Sequence, residues 1–183
     1  KDPYFPRLFR NTLILGTGSF LIGFPAPIIL ALLLNEVASS KYKRIVQTIT
    51  YLPHFLSTEV VVGMMTSMFN STGIVNELLG KLGIGPIQFL NDAQYFRPMY
   101  IGSNVWQGIG WDSIIFLSAL AGLDMELYEA ARIDGAGRWK QTIHITLPGI
   151  LPTIIILLIM QTGSLLSVGF EKTYLMQNNI NSK

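Results

Sequence analysis

Half of the 183 residues are hydrophobic and only 13% are charged, with a mean hydropathy of +0.43, whereas soluble domains carry about a quarter charged residues. The net charge of +2 comes without any dense basic run and gives no footing for nucleic acid. Cysteine is absent, which excludes disulfides, thiolate metal sites and cysteine nucleophiles.

The chain opens KDPYF, with no initiator Met, charged n-region or small-residue cleavage site. No signal peptide is recognised, and a fragment of a longer chain is expected. From Asn11 to Asn35 there is no ionisable side chain, and about 20 mostly apolar residues cross a bilayer, so this is the first predicted span. The second runs from about Ile45 to Phe69 and holds Pro53, His54 and Glu59; the missing N–H of Pro53 predicts a kink. Met99 to Ala121 is the third and contains Asp112, and Pro148 to Phe170 is the fourth, with no charged residue. Four spans leave both chain ends on one side.

The link from Glu36 to Arg44 is short and basic, with Lys41, Lys43 and Arg44, whereas the longer link from Asn70 to Pro98 holds only Lys81 and Arg97. The positive-inside rule therefore places the short link in the cytoplasm. The link from Gly122 to Leu147, with Arg132, Arg138 and Lys140, falls on the same side. Lys1, Arg7 and Arg10 oppose that orientation. Aromatic residues cluster near the span ends, and small residues recur four apart, as in Ser19 and Gly23 or Gly163 and Ser167, which lets helices approach closely. No repeat or linker divides residues 1–183, so one all-α membrane bundle is predicted.

Within the 122–147 loop, Asp124 is expected to cap a helix over Met125 to Ile133, with Glu129 and Arg132 three apart on one face. Gly135 ends that helix, and Asp134 is expected to cap a second short helix entering Arg138 and Trp139. Ala130 and Ala131 leave a thin flank that suits a cleft. The plainer alternative is a solvated Glu129–Arg132 pair worth a few tenths of a kcal/mol.

Glu129, Ala130 and Ala131, then Gly135, Ile145, Leu147 and Pro148, stand at the spacing of the EAA signature, and the chain resembles the bacterial ABC importer permeases that carry it. Seven fixed residues at fixed spacing arise by chance about once in a million chains of this length. The flanking segments GFPAPIILALLLNEV, NVWQGIGWDSIIFLSALAGLDM and VGFEKTYLMQN resemble the carbohydrate-uptake branch of type I permeases, in particular those called multiple-sugar or LplB-like.

The resemblance implies a MetI-like transmembrane bundle of about six spans, of which this chain shows four and lacks the first and last. It further implies a second permease subunit, two cytoplasmic ATPase subunits, an external solute-binding protein, a carbohydrate substrate and a bacterial inner-membrane location. Any ATP and Mg would be held by the partner ATPases, with no cofactor in this chain. The loop would be cytoplasmic and would dock on the ATPase, with Glu129 as charged contact, Ala130 and Ala131 for close packing, Asp134 and Gly135 at the turn, and Ile145, Leu147 and Pro148 marking return to the membrane. Glu59 falls where related permeases place an apolar residue, so no family role is carried onto it.

An ionised side chain inside a span costs about 2.5–3.5 kcal/mol, so intramembrane polar groups face an interior or water. A carbohydrate needs donors and acceptors along its route, which makes His54, Glu59, Asn104, Gln107, Asp112 and Gln161 path candidates. The alternatives are that Asp112 lies near the outer end of its span and that Glu59 pairs within the bundle. His144 stands alone and implies no metal. No GxxxxGK[ST], HExxH or GxSxG occurs, so a non-catalytic subunit is expected, with ATP hydrolysed by a partner. The rival from another class is a proton-coupled secondary transporter relaying through Glu59 and Asp112.

Overall fold

The computed structural model describes residues 4–177, and all of its regular structure there is helical. Residues 1–3, Lys1 among them, and 178–183 lie outside the described residues.

The first span is built from α1 (Phe5–Gly23) and α2 (Pro25–Glu36), which run on through Phe24 as one apolar length of 32 residues. The backbone at Phe24 stays helical and its N–H still reaches Phe20 O, so Pro25 starts the second half without breaking the line. The predicted second span is interrupted. α3 (Ser40–Tyr51) begins at the Ser39 cap and gives way to one tight turn over Leu52–Phe55, after which Ser57 caps α4 (Thr58–Phe69). Pro53 is buried in that tight turn, where its missing N–H forces the α-helix to end.

The long link folds around α5 (Ile74–Lys81). Asn76 is buried, donates to the carbonyls of Asn70 and Ile87 and accepts from Ile87 N–H, closing the link on itself. The third span is α6 (Ala93–Ala121), capped by Asp92. Its 29 residues make it about 44 Å long, and α1, α2, α3 and the fourth span all pack on it. At Gly110, a side chain would run into the carbonyl of Thr50, so α3 approaches α6 backbone to backbone there.

After the loop helices α7 (Met125–Ile133) and α8 (Arg138–Gln141), a π-helical stretch over Thr142–Thr146 leads into α9 (Leu147–Gly163). The wide turn falls just before Pro148, which cannot donate to the preceding turn. The fourth span ends at Gly163, not at Phe170: turns over residues 164–169 redirect the chain into a separate short helix, α10 (Phe170–Met176). Two lengths, 5–36 and 138–163, are long and apolar enough to cross a membrane by length and composition.

The apolar core lies toward the loop end of the bundle, where Ala31, Phe116, Leu120 and Ile150 are buried together with Leu123 and Ile154 packed against them. An ion pair of 3.8 Å between Arg138 and Glu36 joins the 122–147 loop to the short basic link. Both predicted inner links therefore share one end. The α5 link and α10 occupy the opposite end, where Arg97 donates to Asn11 at 3.2 Å.

Candidate functional site

The 122–147 loop folds as a helix, a glycine turn and a second helix. Asp124 Oδ1 accepts from Glu126 N–H at 2.9 Å and so caps α7 over the predicted residues. At the other end Gly135 adopts φ +75°, its N–H donates to Arg132 O, and Ala136 N–H donates to Ala131 O. This pair of bonds is a Schellman close, which requires the left-handed conformation that glycine takes without a Cβ penalty.

Asp134 does not cap the second helix. It is the last, C-terminal cap residue of α7, with its N–H on Ala130 O, and Gly137 precedes α8. The two extra residues of the Schellman close displace the second helix start from Asp134. Nor are Glu129 and Arg132 paired: the ion pairs within 4.0 Å among the described residues are Glu77–Lys81 and Glu36–Arg138.

Two contacts brace the loop. Gln141 Nε2 donates across the turn to Ala136 O at 2.6 Å, and the Tyr128 hydroxyl lies 2.9 Å from Thr146 Oγ1, tying α7 to the start of the fourth span. Thr146 is buried. Nothing in the sequence marks Tyr128, because its partner is 18 residues away and the pairing depends on the turn. Glu129, Ala130, Asp134, Gly135, Leu147 and Pro148 are exposed, while Ala131 and Ile145 are half-buried. Ile133 and Trp139 are 87% and 75% exposed.

The path candidates divide. Asn104, Asp112 and Gln161 line one cavity of about 240 Å³ between α1, α6 and the end of α9, together with Ser19, Tyr100 and Ser164. Gln107 sits beside it, with Nε2 donating to Leu56 O at 3.0 Å. His54 stacks on Trp111 at 4.5 Å and is exposed. Glu59 is exposed in the first turn of α4, apart from the residues that line the cavity holding Asp112. Asp112 lies nine residues from the loop end of α6, not at its outer end, because α6 enters from Ala93 and ends at Ala121.

Lys172 on α10, beyond the fourth span, is the residue that sequence reading missed. It is 6% exposed, its Nζ donates to Asn104 Oδ1 at 2.7 Å and lies 3.4 Å from Gln107 Oε1, and the Tyr100 ring is 6.0 Å away. Burial pushes this ammonium down to about 8, which still leaves it mainly charged at neutral pH. No sequence signal marks it, since Asn104 is 68 residues distant.

The description that matches the chain over residues 23–169 is that of the binding-protein-dependent transport system inner membrane component. The chain belongs to that family. It is 51% identical to Protein LplB of Bacillus subtilis over 98% of its own length and 57% of that protein. It is 45% identical to the polygalacturonan/rhamnogalacturonan transport system permease protein YteP of the same organism, over 98% of its length and 56% of that protein. Among solved structures, it superposes with a TM-score of 0.95 and 45% identity on a chain of the bacterial alginate ABC transporter in complex with alginate pentasaccharide-bound periplasmic protein, covering 99% of this chain and 63% of that one. The fold is thus that of an ABC importer permease, and the chain spans about half the length of the curated relatives it matches. Family membership makes it a membrane transport component and sets aside the proton-relay rival.

Proposed function

We propose that this chain is part of the permease subunit of an ATP-driven importer, forming the route for a carbohydrate of oligosaccharide size and coupling to a cytoplasmic ATPase through the 122–147 loop. The observation that carries the reading is the loop itself, with the EAA spacing folded as a braced helix–turn–helix at the packed end of the bundle. A stiff pair of helices joined to two spans converts a partner's movement into span rotation, whereas a slack loop absorbs it. The relatives named for polygalacturonan and for alginate support a carbohydrate cargo. The neighbour bound to a periplasmic protein supports an external binding protein as partner.

On this reading Glu129, Ala130, Ala131 and the exposed Ile133 meet the ATPase, Gly135 holds the bend, and Ile145, Leu147 and Pro148 set the return to the membrane. The chain hydrolyses no ATP; partner subunits bind ATP and Mg and supply the energy. The partners are a second permease subunit, two ATPase subunits and the binding protein, in a bacterial inner membrane with the loop cytoplasmic. Residues 1–183 act as the core of one permease domain.

The test is ATP-driven sugar uptake by the assembled full-length importer in proteoliposomes. Glu129→Lys or Gly135→Pro is expected to lower uptake at least about 100-fold, Glu129→Lys with melting behaviour close to wild type and Gly135→Pro with a disrupted loop on a bundle that still folds and inserts. Undiminished uptake by either variant would remove the coupling assignment. Gly135→Cys is expected to label from the cytoplasmic side and Gly83→Cys from the outside, and the reverse pattern would overturn the orientation.

A further inference from the structure

The end of the bundle opposite the 122–147 loop gathers three cations that the transport reading leaves unused. Arg7 and Arg10 stand one turn apart on α1, and Arg97 on α6 is brought to them across 86 residues by its bond to Asn11 Oδ1 at 3.2 Å. All three are exposed and line one cavity of about 420 Å³, to which α10 contributes Thr173. No acidic residue lines it. Asp92, close by on α6, commits both carboxylate oxygens to Gln94, and Glu171 on α10 faces Glu59 instead. The ion pairs within 4.0 Å among the described residues lie elsewhere, at Glu77–Lys81 and Glu36–Arg138.

Such a cluster is unfavourable by itself. Like charges one turn apart on a helix repel. Arg7 stands in the first turn of α1, where the helix dipole disfavours a cation and no acidic residue offsets it. On the orientation proposed above, all three arginines also lie on the side where basic residues are disfavoured. Neutral polar side chains would solvate the same positions without these penalties, so the charge calls for an anion.

The rest of the lining separates two kinds of anion. A carboxylate on a docking protein needs only the charged rim. Below the rim, however, the cavity turns apolar, with Leu8, Phe96, Val168 and the buried Leu15 in its wall. Leu15 lies five residues further into the first span than Arg10, about 8 Å deeper. Tyr4 also lines the cavity and is exposed, as amphipathic rings at head-group depth are. The volume falls within the roughly 300–1,000 Å³ of sites that hold a small molecule. A basic rim over an apolar wall, at the start of a span, has the outline of a lipid: phosphate above, acyl chain below.

We propose that this cavity binds an anionic phospholipid, its phosphate held by Arg7, Arg10 and Arg97 and its acyl chain lying over Leu8, Leu15 and Val168. Guanidinium groups suit that rim because they bind phosphate oxygens in pairs. The proposal needs only that the bundle sits in a membrane, and it is independent of the cargo and of the role of the 122–147 loop.

The full-length importer, assembled with its partner subunits, is reconstituted in vesicles of phosphatidylcholine and phosphatidylglycerol in equal parts, with one or the other lipid brominated. A bimane probe on Ala93→Cys, an exposed position in the cavity wall, reads which lipid is near through its quenching. The probe is expected to report a preference for phosphatidylglycerol of at least about 10-fold. Arg7→Gln combined with Arg10→Gln removes two side chains that hold no ion pair among the described residues, and is expected to abolish the preference. Arg7→Lys combined with Arg10→Lys is expected to keep most of it. Soluble glycerol phosphate, which has no acyl chain, is expected to leave the quenching unchanged. No preference in the wild type, or one that survives the double glutamine variant, overturns the proposal. Displacement by glycerol phosphate makes this a site for a free phosphate and overturns it too, and loss of the preference when the external binding protein is added does the same in favour of a partner's carboxylate. Transport is not measured, so the import reading stands or falls separately.

Discussion

The two ends of the bundle share the helix α6 and differ in kind. At the loop end, Ala31, Phe116, Leu120 and Ile150 close into an apolar core, and the loop above them is braced by its own turn, by Gln141 to Ala136 and by Tyr128 to Thr146. From its midpoint toward the far end, α6 presents Tyr100 and Asn104 to a polar cavity, and Asn104 and Gln107 to a buried lysine. Close packing transmits displacement because interiors have low compressibility. A polar cavity instead leaves groups such as the Ser19 hydroxyl without a partner. One end is closed by apolar packing and the other keeps polar space open.

The most damaging way to break this division is between the ends, at Gly110. A side chain in Gly110→Val meets the backbone of Thr50 and Tyr51, which cannot swing aside. Loss of the monodisperse folded protein on size-exclusion chromatography is expected, and a normally folded variant would show that α3 and α6 do not depend on that approach. Next comes Ile150→Ala, which empties a fully buried position in the loop-end core and is expected to cost about 2–5 kcal/mol. The matching truncation at the far end, Leu175→Ala, removes a side chain that is 40% exposed and is expected to cost far less. Equal shifts in thermal unfolding would erase the contrast.

Smaller effects sharpen it. Gly135→Ala places a Cβ on a residue at φ +75° and is expected to cost about 1–2 kcal/mol, read as faster proteolysis of the loop. Tyr128→Phe deletes the hydroxyl contact to Thr146 and is expected to lower stability by about 1 kcal/mol and to reduce sugar carried per ATP hydrolysed. An unchanged transport ratio would mean that this brace carries no motion. Smallest is Lys81→Ala, which breaks an exposed i,i+4 pair on α5; no measurable change in melting is expected, because such pairs are worth little in water.

What could be read from the residues alone was local. The limits of α7, its Asp124 cap and the bend at Gly135 follow from a few neighbouring side chains, and the break near Pro53 follows from one missing donor. Hydrophobic length located the first and fourth apolar helices for the same reason. Even locally the reading stopped short at Asp134, because a Schellman close consumes residues beyond the helix end, and at residues 164–169, where an apolar stretch turns although nothing charged interrupts it.

The family signature was legible because its residues lie within one segment of chain, held at fixed spacing by short-range hydrogen bonds. Which polar side chains share a cavity was not, since helix phase and contacts between distant segments are settled by packing. Only the folded bundle brings Lys172 across 68 residues to Asn104, sends Glu59 and His54 to exposed positions, and puts Asp112 at the cavity. Backbone chemistry acts over a turn or two and is written in the sequence; the meeting of remote side chains is decided by how the helices pack.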